Sequence, residues 1–117
     1  MDSNILIYVA AVAAGILISR YMGSVKKASP GQVKEKIAAG ARILDVRSTA
    51  EFASGSYKKA KNFPVETLEN RLFELEPKDK PIVVFCASGS RSGKAWRILK
   101  KAGFTDITNA GSLSDMP

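Results

Sequence analysis

The stretch Pro81-Ile-Val-Val-Phe-Cys86-Ala-Ser-Gly-Ser-Arg91-Ser-Gly93 constrains the fold of this chain more than any other. Ile82 to Phe85 is a short apolar run rich in β-branched residues, opened by Pro81 and closed by turn formers, and it reads as a strand buried on both faces. Ala95, Trp96, Ile98, Leu99 and Ala102 then recur on one side of a helix, Lys94, Arg97, Lys100 and Lys101 take most of the other, and Gly103 stops it. Strand, tight loop and helix start together place Cys86 beneath unpaired backbone N–H groups and the positive end of a helix dipole. That setting, with Arg91 nearby, lowers a thiol from its ordinary pKa of about 8.5 and suits Cys86 to be a thiolate. Gly89 supplies the positive φ that curls successive N–H groups inward, and Gly93 lets the first helical turn approach the strand closely. The plainer alternative is an inert cysteine at a strand end, the commoner fate of a lone Cys. The Gly, Ser and Arg pattern has no packing rationale, which favours a functional loop.

Composition removes several other chemistries. A chain of 117 residues is long enough for one domain of ordinary size. One cysteine excludes an internal disulfide, a C-x-x-C redox pair and a Cys-rich zinc site, and the absence of histidine excludes every Cys–His or Ser–His mechanism within one chain. A nucleophilic Cys86 must therefore rest on loop dipoles and Arg91, with no metal and no cofactor called for. The net charge of +7 and pI near 9.7 allow an anionic partner. Lys26-Lys27, Lys58-Lys59 with Lys61, and Lys100-Lys101 are scattered and lack an aromatic stacking series, so they read as solvated faces and not as a nucleic-acid site.

Ile5 to Ile18 is uninterrupted apolar sequence, about 14 residues or roughly 21 Å as a helix against a hydrocarbon core of ~30 Å. Extended from Ser3 through Met22, with Arg20 snorkelling and Tyr21 at the interface, it reaches a span of about 20 residues. A cleaved signal peptide competes, but the segment before the apolar run carries Asp2 and no Lys or Arg. The expected organisation is thus a transmembrane anchor over residues 1–24 and a second domain over 25–117. Arg20, Lys26, Lys27 and Lys34 flank the span on its C-terminal side, which predicts a single-pass protein with the second domain in the cytoplasm. Gly23 to Ala28 reads as a short basic linker.

Ser29-Pro30-Gly31-Gln32 is a capping box that opens a helix with Val33 and Ile37 on one face and Gly40 as its stop. Ala41 to Val46 reads as a strand carrying Asp45 and Arg47 at its end. Ser48 with Glu51 is a second capping box, so Asp45, Arg47 and Glu51 are better read as the hydrogen-bonded frame of a strand-to-helix junction than as an acid/base set. Asn62 to Val65 suggests an edge strand, Glu66 to Leu75 a helix with a Leu68, Leu72, Leu75 stripe, and Asp106 to Asn109 a weak last strand before a tail from Gly111. Trp96, at helical spacing with Leu99, belongs to the core or its edge and not to a substrate platform. The alternation of strands and helices predicts an α/β fold, a central parallel sheet flanked by helices.

Cys86-Ala-Ser-Gly-Ser-Arg91-Ser resembles the C-x-x-G-x-R-S active-site loop of the rhodanese-like sulfurtransferases. Leu44-Asp45-Val46-Arg47 followed by Glu51-Phe52 resembles that family's L-D-V-R…E-F signature, and Gly55, Ala60, Asn62 and Pro64 stand where it has G…A-x-N-x-P. The resemblance covers roughly Ser29 to Met116. It departs at Gly55-Ser56-Tyr57, where G-H is common, and at Gly111-Ser112, where Gly-Gly is frequent.

The resemblance implies a small rhodanese-like domain in which Cys86 takes the outer sulfur of thiosulfate, releases sulfite, and holds a persulfide. That persulfide passes to cyanide, a thiol or a protein acceptor. Ala87, Ser88, Gly89, Ser90, Arg91 and Ser92 would bind the small anionic donor, with Arg91 orienting the anion or bracing the loop. An unassisted thiolate suits this chemistry, because the leaving group departs already anionic. A phosphotyrosine-type phosphatase spaces Cys and Arg by five residues where this loop has four, and arsenate reduction lacks a resolving cysteine. The alternative from another class is a membrane-tethered module that carries persulfide or senses oxidation at Cys86 without turnover.

Overall fold

The structure is a computed structural model that describes residues 4–11 and 25–117. Four parallel strands form one sheet in the order β2-β1-β3-β4, with β1 at Arg42–Asp45, β2 at Lys61–Asn62, β3 at Ile82–Cys86 and β4 at Ile107–Ser112. Helix α1, Pro30–Ala38, precedes β1; α2, Thr49–Ala53, follows it; and α3, Ser90–Lys101, joins β3 to β4. Every residue of β3 is buried, as expected of a strand covered on both sides. Its alternation sorts the core. Ile82, Val84 and Cys86 face a layer with Leu44, Leu68, Leu75, Leu99 and Phe104, and Val83 and Phe85 face one with Val33, Ile43 and Ala110.

Both predicted capping boxes are present. Gln32 N–H donates to Ser29 Oγ at 3.2 Å and Ser29 N–H to Gln32 Oε1 at 3.0 Å, and Ser48 and Glu51 repeat the exchange at 3.1 and 3.2 Å. The segment expected as a helix over 66–75 is instead a 3₁₀ helix, Leu68–Leu75. It is held to β1 by the Arg42 guanidinium, which donates to the carbonyls of Leu75 and Pro77. Leu68 and Leu75 are buried while Phe73 stands in solvent.

Three expectations need correction. The last strand does not end at Asn109: it runs to Ser112, with a register shift that pairs Val84 with Asn109 and Phe85 with Gly111. The offset leaves Ala110 as a bulged, buried residue, and Gly111 N–H is satisfied by Asn109 Oδ1 at 3.1 Å. Residues 25–28 are not a free linker. Ala28 N–H donates to Asn109 O at 2.8 Å and Lys27 pairs with Asp115 at 3.3 Å, so this segment lies on the outer edge of β4. Gly93 does not serve close approach to the strand; the nearest atom to a side chain added there is Val25 Cβ, at 3.7 Å.

Of the expected anchor over residues 1–24, residues 4–11 are helical and exposed, and the remainder lies outside the described residues. Among the described residues no helix is long and apolar enough to cross a membrane.

Candidate active site

The carboxyl ends of β1 and β3 are neighbours, with Asp45 registered on Phe85. The chain leaving each makes one wall of the site, as is general at the carboxyl edge of parallel sheets. From β3, Cys86 ends the strand fully buried, Ala87, Ser88 and Ser90 are exposed, and Ser92 is buried. Gly89 is the N-cap of α3 at φ 94° and offers no side chain to cap it. Its N–H turns back to donate to Cys86 Sγ at 2.9 Å. A left-handed φ at this point turns the chain into α3 while that N–H stays on the sulfur, and glycine adopts it without the Cβ clash.

Burial pushes the Cys86 thiol up. The Ser92 hydroxyl and the N–H groups of Ser92, Gly89 and Ser88 outweigh burial, and the thiol lies below its ordinary value. Ser92 Oγ also reaches Gly89 O at 3.0 Å, so its single proton serves the loop carbonyl or the sulfur. Sequence reasoning assigned the lowering to loop dipoles and Arg91; the side chain that contributes most to it is Ser92. The only earlier signal was a serine in the first turn of a helix led by a cysteine.

Arg91 is turned to the other wall. Its Nη1 and Nη2 donate to Glu51 Oε1 and Oε2 at 2.6 and 3.0 Å, a bidentate pair between the start of α3 and the start of α2. Arg91 first, and then the N–H and hydroxyl of Ser48, hold the Glu51 carboxyl down at about 2. Of the two roles left open for Arg91, bracing the loop is the geometry it has here.

The β1 wall is densely bonded. Asp45 is fully buried and receives Arg47 Nη2 at 2.6 Å, Arg47 Nε at 3.0 Å, the Arg47 N–H at 3.0 Å and Ser56 Oγ at 2.8 Å. Arg47 Nη2 also donates to Gly55 O at 2.7 Å, and Asn62 Nδ2 bridges the carbonyls of Asp45 and Arg47. Ser56, which stands where the resembled family commonly has histidine, thus supplies one of the four donors to Asp45. Asp45, Arg47 and Glu51 make a frame, and none of them bonds Cys86. Trp96 is half-buried, its Nε1–H donating to Ile107 O at 3.0 Å. It lines a cavity of about 520 Å³ with Gln32 and Ile107, behind the edge of the sheet. Among the described residues no group of three or more His, Cys, Asp or Glu is placed to hold a metal ion.

Residues 29–113 match the rhodanese-like domain family. An uncharacterized protein of Bacillus subtilis, YqhL, is 39% identical over 69 residues, 59% of this chain and 54% of its own length. The thiosulfate:glutathione sulfurtransferase of Homo sapiens is 32% identical over 93 residues, 67% of this chain and 80% of its own length. A solved structure described as rhodanese with anions from E. coli superposes with a TM-score of 0.62 at 32% identity, covering 67% of this chain and 95% of that one. A parallel α/β domain with a cysteine loop at its carboxyl edge is the class these matches define. The chain belongs to the rhodanese-like family of sulfurtransferases. It spans about half the length of the first of these relatives, YqhL.

Proposed function

We propose that this protein transfers sulfane sulfur from thiosulfate through a persulfide on Cys86. The observation that carries the reading is a buried sulfur that accepts the Gly89 N–H at 2.9 Å, at a helix start that no side chain caps. The Cys86 thiolate attacks the outer sulfur of thiosulfate; a new S–S bond forms, the S–S bond of thiosulfate breaks, and sulfite leaves with the electron pair. A thiophile such as cyanide or a thiolate then takes the outer sulfur and returns the Cys86 thiolate. Neither step moves a proton at the sulfur, which agrees with a site lacking any base beside Cys86. Loop N–H groups stabilise the anions without reorganising. The human relative's name specifies thiosulfate and glutathione, which supports a small thiol as acceptor.

The test is intact-mass analysis after incubation with thiosulfate, followed by cyanide and a thiocyanate assay. An adduct of about 32 Da, one sulfur atom, that cyanide discharges and Cys86→Ser never acquires supports turnover. Retention of the adduct against every acceptor leaves the persulfide-carrying module as the reading. An unmodified Cys86 defeats both for thiosulfate.

The membrane tether, with the catalytic domain in the cytoplasm, belongs to the same proposal and rests on the apolar sequence of residues 3–22 and its basic flank. Recovery of the full chain in an alkaline-washed membrane fraction, with protease protection assigning the side, is the measurement; recovery in the soluble fraction defeats it.

A further inference from the structure

The family match begins at residue 29, and the four residues before it are bonded to the parts that build the Cys86 loop. Ala28 N–H donates to Asn109 O at 2.8 Å, which lays residues 25–28 along β4. Val25 is half-buried with its Cβ over Gly93, a buried residue of α3 whose N–H donates to Gly89 O at 3.1 Å. Lys27 lies across Gly111: a Cβ built at Gly111 would overlap Lys27 Cδ and stand 3.0 Å from its Cγ. Gly111 is held at φ 85°, and its Cα is the nearest atom, at 3.9 Å, to a side chain added at Gly89. Gly89 donates to Cys86 Sγ. Two routes therefore run from this strap to the sulfur, Val25 through Gly93 to Gly89, and Lys27 through Gly111 to Gly89. Asp115 fastens the strap from outside, pairing with Lys27 and accepting from the N–H and Oγ of Ser112, the residue in register with Cys86.

We propose that Val25 and Lys27 are positioning residues for Cys86, the strap they form packing behind Gly89, Gly93 and Gly111 so that the loop keeps its N–H groups on the sulfur. The packing matters because glycines are conformationally permissive, and three of them meet here with no side chains of their own to fill the space. The aliphatic stem of Lys27 and the Val25 side chain fill it. The Lys27–Asp115 pair itself is half exposed and contributes little. For its biological meaning the proposal rests on Cys86 as sulfur carrier. Its test does not, because alkylation needs no sulfur donor.

The measurement is the pH dependence of iodoacetamide alkylation of Cys86 in the full chain. In the double variant Val25→Gly, Lys27→Gly the midpoint rises by about half a pH unit, so alkylation at a fixed pH below it slows about threefold. Lys27→Met, which keeps the stem and removes the charge, returns the wild-type midpoint when combined with native Val25. The charged groups around the loop are Arg91 and Glu51, which pair with each other, Glu66, which acts on Arg91, and Lys27 and Asp115 behind Gly111. Only the Lys27 charge changes in these variants, and Lys27→Met removes that charge by itself. An unshifted midpoint in a double variant with native circular dichroism overturns the proposal. If that variant loses its fold, Lys27→Ser decides: a raised midpoint supports the strap, an unchanged one overturns it. A strap effect without a thiosulfate adduct would mean that the positioning stands and the sulfur-transfer reading fails.

Discussion

The junctions after β1 and after β3 begin alike and end as opposites. Each leaves the carboxyl end of a central parallel strand and turns into a helix. After β1, side chains serve the turn: Ser48 and Glu51 each accept the other's N–H at the start of α2, and Asp45 gathers Arg47 and Ser56. After β3, the helix starts on a glycine with no side-chain cap, and the Ser92 N–H that a capping serine or aspartate would take acts on the sulfur together with that of Gly89. The difference shows how one fold makes, from the same element, one wall braced by side chains and one wall whose N–H groups are turned to a sulfur. Saturating the orphan donors of a helix start gives structure, and leaving them for a thiolate gives chemistry. The bidentate Arg91–Glu51 pair ties the second wall to the first.

Substitutions on the two walls should separate these roles. The largest effect is that of Cys86→Ser, which abolishes the sulfur adduct and brings thiocyanate production to background while the melting temperature stays near that of wild type. Asp45→Ala does the reverse in kind. It leaves the Arg47 guanidinium buried and uncompensated, at a cost of about 3–5 kcal/mol, read as a fall in melting temperature of more than about 12 °C. A small loss of stability would mean that the β1 wall is not the frame described here.

Ser92→Ala removes the side chain that most lowers the thiol and raises the Cys86 alkylation midpoint by about one pH unit, with alkylation below it slowing about tenfold. An unmoved midpoint would leave the backbone N–H groups as the whole cause. The smallest effect is confined to acid. The folded Glu51 carboxyl is depressed to about 2 from 4.5, so its contribution to stability is fully present above pH 4.5 and is lost as pH falls through about 2. Urea unfolding of wild type and Glu51→Gln should therefore differ at pH 6 and converge toward pH 2. A gap that persists at pH 2 would mean that Glu51 acts by packing.

Much of the domain was legible in the chain because its signals are local. The buried run Ile82 to Phe85, the capping boxes at Ser29 and Ser48 and the stops at Gly40 and Gly103 each depend on residues within one turn of one another. The errors fall where a distant partner decides. Asn109 reads as a strand end until Ala110 bulges and Gly111 pairs with Phe85. Lys26-Lys27 reads as solvated charge until the stem of Lys27 meets Gly111. Leu68 to Leu75 has a helical apolar stripe, and nothing in that stripe separates an α-helix from the 3₁₀ helix that forms.

The sequence by itself determined the strand-loop-helix that carries Cys86, the parallel α/β class and the absence of any histidine to act as base, because periodicity, caps and composition need no knowledge of the partner surfaces. Only the tertiary structure decided where Arg91 points, that Ser92 rather than Arg91 is the chief side chain lowering the thiol, and that residues 25–28 back the loop. Those outcomes join Arg91 to Glu51 and Lys27 to Gly111, far apart in the chain, and Ser92 to Cys86 through the turn of one loop. Such contacts leave no periodic trace in the sequence, and they are set by how the loop, sheet and helices pack.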